Sequence, residues 1–211
     1  MKIILLGPPG SGKGTQANFI KNLFKIPIIS ASKLLKKKSK NESILEKKIQ
    51  TYIKSGKLVP DEIITKMILK KIKNNVTNGF ILDGFPRTIK QADSIESANI
   101  EINYILEFVI SEENILKRIT GRRIHLASGR IYHKTFSPPI QYGKDDITQE
   151  LLSKREDDNE IVTKKRIKEY EKYKLSILNF FKKNKKIKLV KINANNKINK
   201  ISNFIKKVFI K

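Results

Sequence analysis

The stretch Gly7-Pro8-Pro9-Gly10-Ser11-Gly12-Lys13-Gly14-Thr15 constrains the fold more than any other part of the chain. It follows an apolar run, Ile3-Ile4-Leu5-Leu6, that predicts a buried parallel strand. It leads into residues 16–24, whose apolar positions fall at helical spacing. Strand, glycine-rich turn and helix in that order make a phosphate site. Glycines let backbone N–H groups curl around an anion where a Cβ would intrude. The helix N-terminus adds unpaired N–H groups and about half a positive charge. The spacing G-x-x-x-x-G-K places Lys13 to reach β- and γ-phosphates. Gly14 follows the lysine directly, so the loop's hydroxyl arrives one residue later, at Thr15.

A chain of 211 residues is long enough for one sizeable core with small inserted lobes. It has no cysteine, which excludes disulfides and thiolate metal sites. No stretch has the length of a membrane span, and the first strand begins almost at Met1, leaving no room for a signal peptide. A cytoplasmic protein is expected. The net charge of +25 raises the question of nucleic acid. However, the 45 basic residues are 38 lysines and only 7 arginines, and the lysines are scattered through helices, turns and tail. That distribution fits a solvated lysine surface of the kind an A- and T-rich coding sequence yields. The arginines, at 87, 118, 122, 123, 130, 155 and 166, are confined to one part of the chain. In so lysine-biased a sequence they mark places that need a planar, bidentate fork, such as phosphate clamps.

Further along, residues 26–29 read as a second short strand and 30–59 as a helical excursion, with a capping-box pattern at Ser43 and Glu46. Pro60-Asp61-Glu62 opens a helix that should stop near Asn78-Gly79. Phe80-Ile81-Leu82 forms a strand with Asp83 at its carboxyl end. Tyr104 to Ile110 is a strand, Ser111 caps a helix, and residues 121–158, rich in turns, read as a small β-rich insertion. A long helix from about Glu160 to Phe181, a strand over 187–192 and a terminal helix complete the chain. In that last helix Ile198, Ile201, Phe204, Ile205 and Val208 should face inward. Alternating strands and helices imply an α/β fold with about five parallel strands, and ligands gather at the carboxyl ends of such strands. Asp83 sits at one of those ends and suits an acid that orients Mg²⁺ through water, with Thr15 as the hydroxyl partner.

Three more stretches join the loop: Asp83-Gly84-Phe85-Pro86-Arg87-Thr88, Gly121-Arg122-Arg123 with Gly129-Arg130-Ile131-Tyr132-His133, and Arg155-Glu156-Asp157-Asp158. Together they closely resemble adenylate kinase of the long-lid bacterial type. The resemblance implies a P-loop three-layer fold with a helical nucleoside-monophosphate lobe and a lid, acting as Mg-ATP + AMP ⇌ 2 ADP. It divides the chain into a core (1–29, 60–120 and 159–211), an acceptor lobe (30–59) and a lid (121–158). It implies that Gly10, Ser11, Gly12, Lys13, Gly14 and Thr15 hold the donor phosphates. Arg118, Ile131, Tyr132, His133 and the backbone carbonyl around Asn196 would surround the ATP base. Ala31, Lys36, Lys57, Leu58, Val59, Gly84, Phe85, Pro86, Arg87, Gln91, Arg155 and Arg166 would surround AMP, and Arg122 would also contact ATP. Arg87 would grip the AMP phosphate, and the Gln91 amide would pair with the adenine edge. Lys13, Arg87, Arg122, Arg155 and Arg166 would converge on the transferring phosphoryl group.

Two places depart from the family pattern. Ser30-Ala31-Ser32-Lys33-Leu34-Leu35-Lys36 stands where the family reads Ser-Thr-Gly-Asp-x-x-Arg, so a hydroxyl and a bidentate fork are missing from the AMP side. Some relatives hold zinc in the lid with cysteines. Here His125, Ser128, Asp145 and Thr148 occupy those places, a set suited to hydrogen bonding and poor for zinc. The expectation is therefore Mg²⁺ with ATP, no structural zinc, a monomer, ATP, AMP and ADP as partners, no specific nucleic acid and no membrane. Another monophosphate kinase, a GTP-using AMP kinase, or a basic nucleic-acid-binding protein with a vestigial nucleotide site are the alternative readings.

Overall fold

The structure is a computed structural model that describes residues 1–38, 44–75, 78–155 and 157–210. Ser43, Glu156 and the Lys36 side chain lie outside the described residues. Five parallel strands form one sheet: β1 (Lys2–Leu6), β2 (Ile28–Ser30), β3 (Phe80–Asp83), β4 (Tyr104–Val109) and a last strand, Lys188–Asn193. The last is β7, because two short strands of the insertion, β5 (Arg122–Ile124) and β6 (Ile131–His133), precede it and pair antiparallel with each other. The order β2-β3-β1-β4-β7 puts β1 in the middle, where the direction of crossover reverses.

Each central strand is buried on both faces, which is why it reads as an unbroken apolar run. Ile4, Leu6, Phe80, Leu82 and Ile105 look toward one helical layer. That layer is built from α4 (Asp61–Asn75), α5 (Ile89–Ser97) and α7 (Glu160–Lys182) through Ile64, Ile68, Ala92, Ile95, Ile177, Leu178 and Phe181. Ile3, Leu5, Ile81, Leu106 and Phe108 look the other way. They meet Ala17 and Ile20 of α1 (Lys13–Phe24) and Ile201 and Ile205 of α8 (Ile198–Phe209). The remaining helices are α2 (Ala31–Lys38), α3 (Ile44–Ser55) and α6 (Glu112–Thr120), the last capped by the Ser111 hydroxyl accepting from the Asn114 N–H.

Two details differ from the sequence reading, and the predicted stop of α4 near Asn78-Gly79 falls next to residues 76–77, which lie outside the described ones. β2 begins at Ile28 because Pro27 has no N–H to give the ladder, although its carbonyl still accepts from Ile81 N at 2.9 Å. α4 is described only to Asn75. Phe204 does not face the core: it is 45% exposed, one position off the stripe through Ile201 and Ile205. Phe209 takes the inward place instead, with its ring edge-to-face on Phe24 and Tyr104 at centroid distances of 5.3 and 4.8 Å.

Candidate active site

The loop after β1 turns directly into α1. Gly12, the residue before the helix, sits at φ 88°, a left-handed conformation that glycine adopts without strain. Gly7 is required for space: a Cβ there would stand 2.9 Å from the Phe108 Cβ and 2.9 Å from Ser11 Oγ. Lys13 folds back over the loop. Its Nζ donates to the Gly7 carbonyl at 2.6 Å, the Pro8 carbonyl at 2.7 Å and Ser11 Oγ at 3.2 Å. Burial pulls the Lys13 ammonium from 10.5 down to about 7. Asp83 opposes that fall, and Arg87, Arg166 and Arg122 add to it. Those interactions place Asp83 and three arginines around the lysine that the loop positions. Thr15 is exposed in the first turn of α1, and Asp83 is half-buried at the end of β3, accepting from the Ser30 hydroxyl at 3.4 Å.

Each arginine reaches this place by its own support. Arg87 Nε donates to the Gly84 carbonyl at 2.8 Å, and burial beside Arg166 lowers the guanidinium to about 10, against the pull of Asp83. Gly84 lies at φ 76°, and a Cβ on it would stand 2.9 Å from Arg87 Nη2. Arg122 makes two bonds to Asp158: Nε donates to Oδ2 at 2.7 Å, and Nη2 meets Oδ1. Arg166 Nη1 donates to Asp157 Oδ2 at 2.8 Å. Arg155 is held down chiefly by burial and then by Arg122, and its Nε is buried with no hydrogen-bond partner among the described residues. Among the described residues five cations thus crowd three carboxylates, Asp83, Asp157 and Asp158, an excess that multiply charged phosphate would neutralise.

A cavity opens beside this cluster between α2, α3, α5 and α7. Ala31, Lys57, Leu58, Val59, Gly84, Arg87, Gln91 and Arg166 line it, together with Ser32 and Asp157. Of the sequence-predicted acceptor residues the cavity brings together Ala31, Lys57, Leu58, Val59, Gly84, Arg87, Gln91 and Arg166; the Lys36 side chain lies outside the described residues, and two qualifications apply. Phe85 and Pro86, joined by a cis peptide bond, are buried and do not line the cavity. Gln91 is anchored within the protein at both ends of its amide. On the other side, Arg118 bridges the loop and the turn after β7. It donates to the carbonyls of Ser11 at 3.4 Å, Ala194 at 2.6 Å and Asn196 at 3.3 Å.

In the insertion, Ile131 is exposed and His133 sits against the Lys117 carbonyl at 3.3 Å. The Tyr132 ring turns inward: its hydroxyl donates to Asp145 Oδ1 at 3.0 Å, so the phenol is unavailable to a base. His125, Ser128, Asp145 and Thr148 form one hydrogen-bonded knot. His125 Nδ1 meets Ser128 Oγ at 2.7 Å, Arg130 Nε donates to Asp145 Oδ1 at 2.7 Å, and the Thr148 N–H donates to Asp145 Oδ2 at 2.9 Å. The Arg130 fork holds the Asp145 carboxyl well below the usual carboxylate range. Among the described residues no group of three or more His, Cys, Asp or Glu side chains is placed to hold a metal ion.

Sequence reasoning did not single out Asp157 and Asp158 as supports of Arg166 and Arg122. Two adjacent acids directly before a helix in an arginine-bearing motif are the signal that points to them.

A family model for adenylate kinase matches residues 5–186. The chain belongs to the adenylate kinase family. It is 45% identical over 184 residues to the adenylate kinase of Sodalis glossinidius, covering 87% of this chain and 86% of the relative. It is 50% identical over 186 residues to that of Buchnera aphidicola subsp. Cinara cedri, covering 88% and 86%. The adenylate kinase of Photorhabdus laumondii is 46% identical over 184 residues, 87% of this chain and 86% of the relative. The enzyme is an ATP:AMP phosphotransferase that takes its donor as Mg-ATP. Without cysteine its insertion is not a thiolate zinc lid. No helix among the described residues is long and apolar enough to cross a membrane.

Proposed function

We propose that the residues of this cluster divide the adenylate kinase reaction between a donor side and an acceptor side. Residues 10–15 hold the ATP phosphates, and Arg118 steadies the turn that meets the ATP base. Backbone atoms at Ile131, Tyr132 and Asn196, with His133, surround that base. Ala31, Lys36, Lys57, Leu58, Val59 and residues 84–87 hold AMP, and Gln91 reads its base. Core, acceptor lobe and lid follow the division 1–29, 60–120 and 159–211; 30–59; and 121–158. The observation that carries this reading is the convergence of Lys13, Arg87, Arg122 and Arg166 next to the cavity that Gln91 and Lys57–Val59 line.

The chemistry needs little beyond position and charge. An AMP phosphate oxygen is already an anion, so no general base is required. Attack in line on the γ-phosphorus forms one P–O bond as the bond to the ADP leaving oxygen breaks. Charge then spreads over the equatorial oxygens. Lys13, Arg122, Arg155 and Arg166 meet that charge from fixed positions, which is where such groups are most effective. Asp83 and Thr15 offer hard oxygen donors suited to Mg²⁺, directly or through water. Held there with ATP, Mg²⁺ would supply neutralising charge to the phosphates. The lid is read as held by its hydrogen-bonded knot, without structural zinc, and its closure excludes the water that would otherwise hydrolyse ATP.

Steady-state kinetics with both substrates varied test the division. Arg87→Lys is expected to raise KM for AMP with little effect on that for ATP, and Arg118→Lys the converse. Exchanged patterns would overturn the assignment.

A further inference from the structure

Gln91 borders the cavity with its amide held at both ends. Its Oε1 accepts the Arg87 backbone N–H at 2.7 Å, and its Nε2 donates to Asp61 Oδ1 at 2.7 Å. The second oxygen of Asp61 accepts the Thr88 hydroxyl at 2.8 Å. Thr88 Oγ1 in turn accepts the Gln91 backbone N–H at 3.2 Å and so caps α5. The first residue of α4 and the first turn of α5 thus close on one side-chain amide.

The sense of each bond is fixed by the partners. A backbone N–H only donates and a carboxylate only accepts, so the amide oxygen must face Arg87 and the amide nitrogen must face Asp61. A flipped amide would set two donors together at Arg87 and two acceptors together at Asp61. Gln91 is 2% exposed, so water cannot make good either loss. One amide N–H and one lone pair of the oxygen remain for a ligand.

We propose that Asp61 is a positioning residue that makes the acceptor site select 6-aminopurines over 6-oxopurines. This rests on the reading of Gln91 as the group that meets the acceptor base. Adenine presents an N–H donor at C6 beside a ring-nitrogen acceptor, which an amide matches with its oxygen and its remaining N–H. Hypoxanthine and guanine present an oxygen acceptor at C6, and to meet it the amide would have to flip. Asp61 opposes that flip without touching the base, and Thr88 keeps the carboxylate from turning away.

The test compares AMP with IMP, which differs at C6 and lacks the guanine amino group. Asp61→Asn keeps the shape but can offer Gln91 either a donor or an acceptor. The ratio of kcat/KM for AMP to that for IMP is expected to fall about tenfold or more, with KM for AMP rising and KM for ATP staying in place. An unchanged ratio in a folded Asp61→Asn protein overturns the proposal, as does an equal loss with both acceptors. Gln91→Ala separates the two layers of the argument. If it lowers the ratio and Asp61→Asn does not, only the role of Asp61 falls. If it leaves both KM for AMP and the ratio at wild-type values, Gln91 does not read the base and the proposal falls with it. Thr88→Val loosens the carboxylate while keeping its charge, and should lower the ratio by a smaller factor. A ratio held there, with Asp61→Asn unfolded, also counts against the proposal.

Discussion

Raising the pH should weaken nucleotide binding through a single lysine. In the ligand-free structure Lys13 is enclosed by the Gly7 and Pro8 carbonyls, and burial brings its pKa to about 7. Phosphate oxygens entering the loop favour the ammonium and pull the pKa back up. With a starting value of about 7, roughly nine-tenths of Lys13 is neutral at pH 8 and about one-tenth at pH 6. Binding Mg-ATP should therefore take up ~0.9 proton at pH 8 and ~0.1 at pH 6. Affinity should fall about tenfold per unit above pH 7 until the pKa of the complex is reached. Titration calorimetry at pH 8 in buffers of differing protonation enthalpy measures the uptake as a slope. Phosphate groups, whose second pKa lies near ~6, contribute little there. The sign carries over to folding. The folded pKa lies below the unfolded one, so the unfolded chain binds more protons between about pH 7 and 10.5. Ligand-free stability from this group accordingly rises with pH across that window and is flat below it. A slope near zero at pH 8, or the same slope in Lys13→Met, would refute the reasoning.

Three further outcomes are expected. Asp158→Asn removes one acceptor from the pair that fixes Arg122, and a displacement of about 1 Å in such a group costs on the order of 10²-fold, so kcat should drop far more than either KM changes in stopped-time assays. Gly84→Ala puts a side chain at φ 76° and against Arg87. It should lower stability by about 1–2 kcal/mol in urea unfolding and raise KM for AMP. The double substitution Ala31→Thr with Lys36→Arg supplies the missing hydroxyl and fork, and should lower KM for AMP by up to about tenfold; an unchanged KM would show that this end of the acceptor site is not weakened.

The parts of the site legible in the sequence are those whose chemistry dictates spacing. A phosphate loop needs its glycines and lysine at fixed intervals, and a strand buried on both faces must be apolar throughout. Residues 3–15 and the central strands therefore announce themselves. Hydrogen-bond partners distant in the chain do not. Asp158 meets Arg122 across 36 positions and Asp61 meets Gln91 across 30, and no periodicity links such pairs. Asp61 reads from sequence only as an acid opening α4, because a charge at a helix N-terminus already has a sufficient reason to be there. Tyr132 shows another detail the sequence does not carry. Its position near the donor base is implied by motif, but the direction of its ring is set by Asp145, thirteen residues away.

The arginines show what residue choice does and does not reveal. In a chain that prefers lysine, the remaining arginines point to places that need a planar fork, and several of them use one. Arg122 grips Asp158, Arg130 grips Asp145, and Arg118 spans three carbonyls. Arg123 donates to the carbonyls of Arg122 at 2.7 Å and Thr120 at 3.4 Å. A lysine has three donors on one nitrogen and lacks the planar fork that meets a carboxylate with two parallel bonds. The fork requirement is nevertheless not a catalytic requirement. Arg130 is bound to Asp145 inside the lid knot, so its fork is committed to holding the lid together. Arg87, Arg122 and Arg166 act on Lys13 electrostatically from around the loop, and Arg155 keeps one buried donor without a partner among the described residues. What separates the two groups is how their charge is balanced. The lid pairs Arg130 with a buried carboxylate. Among the described residues the active cluster has fewer carboxylates than cations, and that imbalance, which adds to the effect of burial on Lys13, is what phosphate would relieve.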